Sequence, residues 1–423
     1  MAEDVAIASP PAPAATPAQV RQVVLAGMLT MAVVMGIGRF AFTPILPAMR
    51  DAFGLSATDL GALASANYLG YLLGALAAAV PALLRWRQAV VRGGLLLVIV
   101  VTAGMALTTA MPLWLLLRFV AGVASAGVFV FASAAVIGWF VQQRRPELVG
   151  FFFSGVGLGI ASSGAVILLV QRLTGGQAWR AEWLGAAALA VALAAPTLRW
   201  LPQETLRAAA PGAPRAEHAP RRVSRPLALL AVSYFLGGVG YIVAGTFIVV
   251  IVSGVPGLQD LGAGSWILVG LAALPSTPLW TRVAVRIGRM TALAASYLLM
   301  AASLLLSGFI AAPAAAVVST LLFGATFIAF GALTVAEAQQ LAPPQQAART
   351  IALLTVIFGM GQVAGPLLAA QLAGPGGDFR VSLVAAGIVV LVAALLALAA
   401  GRGSHGSRPG FSRPSAGPPE DAC

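Results

Sequence analysis

Long apolar blocks alternate with short polar interruptions along this chain. Twelve blocks fall at about 22–48, 59–83, 93–111, 113–140, 148–172, 182–201, 227–253, 263–281, 291–311, 313–341, 349–372 and 382–401. Most approach the ~20 residues that an α-helix needs to cross a bilayer, so each is predicted as a membrane-spanning helix. They are numbered here in chain order. The pattern breaks at 202–226, where QETLRAAAPGAPRAEHAPRRVSRP is polar, Pro-rich and basic. That stretch reads as a cytoplasmic linker between a six-helix half at 22–201 and a second at 227–401. Residues 1–21 and 402–423 lie outside the helical pattern and are expected to be disordered cytoplasmic tails. The Ala/Pro-rich start carries Glu3 and Asp4 but not the basic opening of a signal peptide, so block 1 reads as an uncleaved helix.

Composition sharpens this reading. Of 423 residues, 60% are hydrophobic and 9% charged, which fits a polytopic membrane protein rather than a soluble domain. All 25 basic residues are Arg. The net charge of +12 does not point to nucleic acid, because these residues cluster at block ends and in short loops. Twelve spans put both termini on one side. The loops sharing that side hold Arg85, Arg87 and Arg92; Arg144 and Arg145; Arg207, Arg215, Arg221, Arg222 and Arg225; Arg282, Arg286 and Arg289; and Arg349. The opposite loops hold only Arg50, Arg172, Arg180 and Arg380. The asymmetry predicts cytoplasmic termini. Cys423 is the sole cysteine, which excludes an intrachain disulfide, and His218 and His405 fall in polar stretches, so neither a metal site nor a cofactor is expected.

The halves read as a repeat. GIGRF at 36–40 aligns with GVGYI at 238–242, setting Tyr241 opposite Arg39. RFVAG at 118–122 aligns with TLLFG at 320–324, and GVG at 155–157 with GMG at 359–361. Trp179-Arg180 answers Phe379-Arg380. The offsets lie between 200 and 204 and keep chain order. Duplicated halves with a binding site between them are a recurrent plan among secondary transporters.

Arg39 is the only charge in block 1, within GIGRFAFTPILP at 36–47. A guanidinium at that depth costs at least ~2.5–3.5 kcal/mol, so it should face protein or a water-filled cavity. Met35 and Thr43 share its helix face, and Pro44 and Pro47 should loosen the helix beyond it.

Several motifs resemble the major facilitator superfamily, over nearly the whole chain. LLLRFVAGVASAG (115–127) looks like the family's RxxxG pattern, with Arg118 in the position associated with ion coupling or substrate contact. GVGLGIASSG (155–164) resembles the exchanger motif of helix 5, although Ile160 replaces its proline and Ser163 a glycine. RVAVRIGRMTAL (282–293) is similar to the cytoplasmic gating motif, with Val285 where an Asp is usual, and LPQETL (201–206) looks like the signature ending helix 6. GIGRFAFTPILP, LASANYLGYLLG (63–74) and GMGQVAGPLLA (359–369) resemble the bacterial YbfB/YjiJ-like subgroup. The resemblance implies an all-α fold of twelve membrane helices in two pseudo-symmetric halves. It also implies a central cavity lined by helices 1, 4, 7 and 10.

Candidate substrate-binding residues are Arg39, Thr43, Asn67, Tyr71, Arg118, Tyr241, Phe327 and Gln362. Arg39, Asn67 and Arg118 fall at similar depth and could share one hydrogen-bonding cluster; Asn67 could equally be a structural amide joining helices. Candidate gating residues are Arg87, Arg145, Arg286, Arg289 and Glu337. No Asp or Glu occupies the middle of a block, and Glu337 is expected to pair with Arg349 or a neighbouring loop Arg rather than carry a proton. The glycines of block 5 are read as hinges or packing contacts.

These features predict a secondary transporter in a bacterial inner membrane, monomeric and without nucleic-acid partners, moving a small organic solute by alternating access. Two intramembrane arginines favour an anionic substrate. Without a Walker A pattern, an ion gradient, expected to be of protons, should supply the energy, or the protein is a uniporter. The alternatives are proton-antiport export of lipophilic compounds and a non-transporting membrane sensor. Neither HExxH nor GxSxG occurs, so an enzyme is not expected.

Overall fold

The computed structural model describes residues 15–176, 178–202, 224–258, 262–342, 346–374 and 377–405. Most of the linker, including Arg222, and most of both predicted tails lie outside the described residues. The described chain is helical, with no strand among the described residues. Helix 1 is Pro17–Phe53, helix 2 Ala57–Ala78, helix 3 Arg87–Gly104, helix 4 Met111–Gln142, helix 5 Val149–Thr174 and helix 6 Trp179–Trp200. Helix 7 is Arg225–Ser253, helix 9 Arg289–Phe309, helix 10 Pro313–Leu341, helix 11 Ala347–Ala373 and helix 12 Phe379–His405. Helix 8 is a bent pair, Gly262–Ala273 and Ser276–Ile287, turning by 42°. Counting that pair as one span gives the twelve predicted crossings. The end at which helix 1 begins is called the proximal end below, and the other the distal end.

Local chemistry sets several boundaries. Thr16 caps helix 1 reciprocally with Gln19, and Ser56 caps helix 2 with Asp59. Between them Gly54 takes φ 62°, the left-handed conformation that ends a helix without a Cβ clash. Helix 3 is shifted toward the N-terminus of its apolar block: it begins at Arg87, directly after the 3₁₀ turn Pro81–Trp86, and ends at Gly104, before the predicted boundary.

The interior is largely apolar with polar side chains interspersed, and the exterior is apolar as well. Leu96, Val100, Leu169 and Leu395 face outward, whereas Asn67, Ser125, Ser163, Thr246 and Thr334 are buried. Lipid tails impose no cost on the exposed leucines, so helix association rests on close packing and buried polar contacts. Glycines supply the close approaches. A methyl group at Gly122 would overlap the Asn67 carbonyl, and one at Gly324 would overlap the Val269 carbonyl. Helix 4 therefore meets helix 2 as helix 10 meets helix 8, with both partners displaced by 202 residues.

A displacement of 200 to 202 residues relates a further pair of contacts. Arg180 donates to the Ala106 carbonyl beyond helix 3, as Arg380 does to the Gly308 carbonyl near the end of helix 9, each over 3.3 Å. Both cations sit where a helix C-terminus presents negative partial charge. Contacts also correct one sequence match. Gly157 packs on Leu274 of helix 8 and Gly359 on Leu72 of helix 2, while Gly159 and Gly361 pack on helices 1 and 7 of their own halves. Gly157 is thus equivalent to Gly359, two residues from the predicted Gly155. Closely spaced glycines offer several near-identical alignments, and only the packing partner separates them.

Candidate functional site

The site starts from a defect in helix 1. Residues Ala32–Ile37 widen into a π-helix, the chain turns through 38–41, and the helix resumes at Phe42. Pro44 has no N–H to donate to the Phe40 carbonyl, which instead accepts from the Thr43 amide at 3.1 Å. The break precedes Pro44, while Pro47 is accommodated inside the resumed helix.

Two side chains satisfy carbonyls at the break. Asn67 Nδ2 donates to Gly38 O at 3.2 Å and to Arg118 O at 3.0 Å, tying helices 1, 2 and 4 together. Arg118 donates from Nε to Leu63 O at 3.3 Å and from a terminal nitrogen to Arg39 O at 3.2 Å. Its guanidinium carbon lies 4.6 Å from the centre of the Phe42 ring. Arg39, Asn67 and Arg118 are therefore one cluster, in which Arg118 directs two nitrogens to backbone.

Arg39 is placed differently. It is 2% exposed, and no ion pair among the described residues includes it. One terminal nitrogen donates to Gln362 Oε1 of helix 11 at 2.9 Å, and Gln362 Nε2 donates to the Tyr241 hydroxyl of helix 7 at 2.6 Å. The other terminal nitrogen lies 3.9 Å from Met35 Sδ. The guanidinium rests 4.0 Å from the Tyr71 ring centre, and its Nε is buried without a partner. Repeat-related positions thus meet near the axis between the halves: Arg39 reaches Tyr241 through one glutamine, and Thr43 donates directly to Gly245 O at 2.6 Å.

Further bonds crossing between the halves are Ser65 to Val363 O at 2.9 Å, Tyr68 with Thr246 at 3.3 Å, and Ser154 to Leu274 O at 2.6 Å. Around Arg39 lies an aromatic chamber. Phe327 stacks on Tyr241 and meets Phe40 edge-on, while Phe358 stacks on Tyr241 from helix 11. Met35, Tyr71, Phe129 and Phe358 come from four helices and each keep part of their surface accessible.

The gating candidates separate. Glu337 Oε2 accepts from Arg289 Nε at 3.2 Å, so its partner is a loop arginine of helix 9 rather than Arg349. This pair lines a cavity of about 530 Å³ among helices 8, 9 and 10. Arg145 reaches Glu147 over 3.9 Å on the surface, Arg286 is exposed, and Arg87 is half-buried at the start of helix 3.

Sequence reasoning missed Phe358, which directly precedes the GMG match at 359–361. It also missed Glu182, buried in the first turn of helix 6 and accepting from Gln171 Nε2 at 3.0 Å and the Ala178 amide at 3.3 Å. An acid at a helix start is ordinary capping chemistry, so the pattern carried no signal of its burial.

A two-half bundle of twelve helices, closed around a buried arginine, defines a membrane transporter of the major facilitator type. The chain belongs to the family described as "Uncharacterised MFS-type transporter YbfB", which matches residues 31–398. Among solved structures it is similar to the nucleoside transporter NupG, at 13% identity and TM-score 0.66, covering 91% of this chain and 99% of that one. It is also similar to a bacterial homolog of the human lysosomal transporter Spinster in an inward-facing and occupied conformation, at 16% identity and TM-score 0.65, covering 92% and 98%. A chloramphenicol resistance protein of Streptomyces lividans is 27% identical over 383 residues, covering 86% of this chain and 92% of that protein.

Proposed function

We propose that this transporter moves a small organic anion between its two halves by alternating access, driven by an ion gradient, in a bacterial inner membrane. The proximal end, with both termini, is cytoplasmic, and the protein works as a monomer. The observation that carries this reading is Arg39, a buried cation between the halves with no carboxylate partner among the described residues and one unsatisfied donor. An unpaired charge is costly in lipid, and a substrate carboxylate supplies both the countercharge and the missing acceptor. Thr43, Tyr71, Tyr241, Phe327 and Gln362 complete the site, with Asn67 and Arg118 holding the helix break that presents Arg39. Arg289 and Glu337 form the proximal latch, with Arg87, Arg145 and Arg286 in the adjoining cytoplasmic loops.

The test compares uptake of small carboxylates and their amides into proteoliposomes under a proton gradient, for the natural chain, Arg39→Lys and Arg39→Gln. Lys keeps the charge but loses the planar fork, so both variants should weaken affinity, Gln the more. Losing a charge-assisted bond costs roughly 1.5–3 kcal/mol, about ten- to a hundredfold. Equal affinity in folded Arg39→Gln, or preference for amides, sinks the anion reading.

A second reading is favoured by the chloramphenicol resistance relative together with the aromatic chamber: export of a neutral aromatic drug. It predicts that expression raises chloramphenicol tolerance in a sensitive strain and that Arg39→Gln leaves the tolerance intact.

A further inference from the structure

The cavity of about 530 Å³ at the proximal end holds more than the Arg289–Glu337 pair. Its volume falls within the roughly 300–1,000 Å³ of small-ligand sites. It lies between the second segment of helix 8, Ser276–Ile287, the start of helix 9 and the last turns of helix 10. Helix 9 opens at Arg289 with no side chain capping it, and its first intrahelical bond runs from the Ala292 amide to the Gly288 carbonyl. The amides of Arg289, Met290 and Thr291 precede that bond, and all three residues line the cavity. Uncapped amides and the helix dipole make such a start favourable to negative charge.

Two side chains on the same wall have donors to give. Arg289 uses Nε for Glu337, and no hydrogen bond among the described residues engages its terminal nitrogens. Thr277 is 6% exposed, and its hydroxyl is buried without a partner. Glu337 is the only acid on the wall among the described residues, and it occupies one edge of the guanidinium. Arg282 and Arg286 stand exposed on the same helix 8 segment, so the surroundings are basic. Apolar side chains stand beside them: Val285 is 84% exposed and Ile287 47%, and both line the cavity.

We propose that this cavity binds a phosphate group, carried by an anionic phospholipid of the proximal leaflet. A phosphate directs its oxygens tetrahedrally, toward donors on different sides, whereas a carboxylate holds both of its oxygens in one plane. The exposed Val285 and Ile287 give acyl chains a surface beside the headgroup, and arginines next to apolar side chains at a membrane surface attract anionic lipid. A free phosphate would use the same donors but gain nothing from the apolar rim. The phosphate competes with the Glu337 carboxylate for Arg289, so its binding bears on the latch. The site does not depend on the reading of Arg39.

The test is native mass spectrometry of the purified full chain in detergent, titrated with phosphatidylglycerol, phosphatidylcholine and inorganic phosphate. Phosphatidylglycerol should bind about tenfold tighter than phosphatidylcholine, whose phosphate is offset by a trimethylammonium group. Inorganic phosphate should not displace it. Arg289→Gln should weaken phosphatidylglycerol binding about tenfold, Arg289→Lys less, and Thr277→Val roughly fivefold. Glu337→Gln should strengthen it roughly threefold, by removing the competing carboxylate. Arg172→Gln, at the distal end, should change nothing. Equal binding of the two lipids overturns the proposal, as does unchanged affinity in folded Arg289→Gln. Weaker binding in Glu337→Gln also overturns it, because the Arg289 effect would then come from breaking the pair. Displacement by inorganic phosphate assigns the site to a free anion and overturns the lipid.

Discussion

Arg39 and Glu337 illustrate how burial assigns work to single residues. Arg39 is enclosed without a countercharge among the described residues, whereas Glu337 already has one: its carboxylate meets Arg289, which is about a third exposed. A partly solvated pair of this kind contributes at most about 1 kcal/mol to stability, so its value lies in the state it favours. Glu337→Gln should therefore leave the protein folded and change the rates of accumulation and counterflow exchange together, by loosening a latch. Both are measurable in proteoliposomes. Loss of gradient-driven accumulation with counterflow intact would make Glu337 a coupling site instead. Asn67 belongs to the same scale. The sequence left it between a ligand and a structural amide, and its two bonds to Gly38 and Arg118 carbonyls engage its amide nitrogen in the structural role.

At the scale of helices, glycine placement decides which elements can touch. Gly122 sits where a Cβ would collide with the Asn67 carbonyl and come within 2.7 Å of the Tyr71 amide nitrogen. Neither atom can move without shifting helix 2, which carries the Arg39 support. Gly122→Ala should cost roughly 1–3 kcal/mol or more and lower the fraction of monodisperse protein. Gly93→Ala in helix 3 is the matched control, because nothing lies within 4 Å of its added methyl. It should be neutral or stabilise by up to about 1 kcal/mol. Thermal unfolding in detergent reads both, and equal behaviour would remove the packing argument. The break in helix 1 is the converse case. There the chain gives up helical bonding, and side chains from helices 2 and 4 satisfy the exposed carbonyls.

For the whole molecule, the 202-residue displacement relates the two interfaces between halves. Gly164 approaches the Ala263 carbonyl where helix 5 meets helix 8, and Gly61 approaches the Pro366 carbonyl where helix 11 meets helix 2. A Cβ at Gly61 would lie 2.9 Å from that of Ala370, nearer than the ~3.5–4.5 Å between the Cβ atoms of a disulfide, so a bridge there needs the two helices to part by roughly 1 Å. With Cys423 replaced by serine, Gly61→Cys with Ala370→Cys should cross-link on oxidation, stop transport, and recover on reduction. Transport unaffected by a formed cross-link would show that the distal contact does not open during the cycle. Orientation has its own test. Single cysteines beside Arg87, Arg145 and Arg289 should react with a permeant thiol reagent but not an impermeant one in intact cells, and labelling of two or more by the impermeant reagent overturns the topology.

The sequence by itself determined the class of molecule, the twelve crossings and most helix bounds to within a few residues. These follow from hydropathy and local capping, which a lipid environment reads segment by segment. It also marked Arg39, because a lone charge in an apolar block stands out in one dimension. Only the tertiary structure decided what Arg39 meets. Gln362 lies 323 residues away, and no periodicity links the two positions. The same holds for the stacked rings of Phe327, Tyr241 and Phe358 from three helices, for the carbonyls that engage Arg118, and for the two-residue register of Gly157 with Gly359. Lipid rewards any apolar face alike, so hydropathy cannot choose partners. That choice falls to close packing and to buried polar groups that must find one another across the bundle.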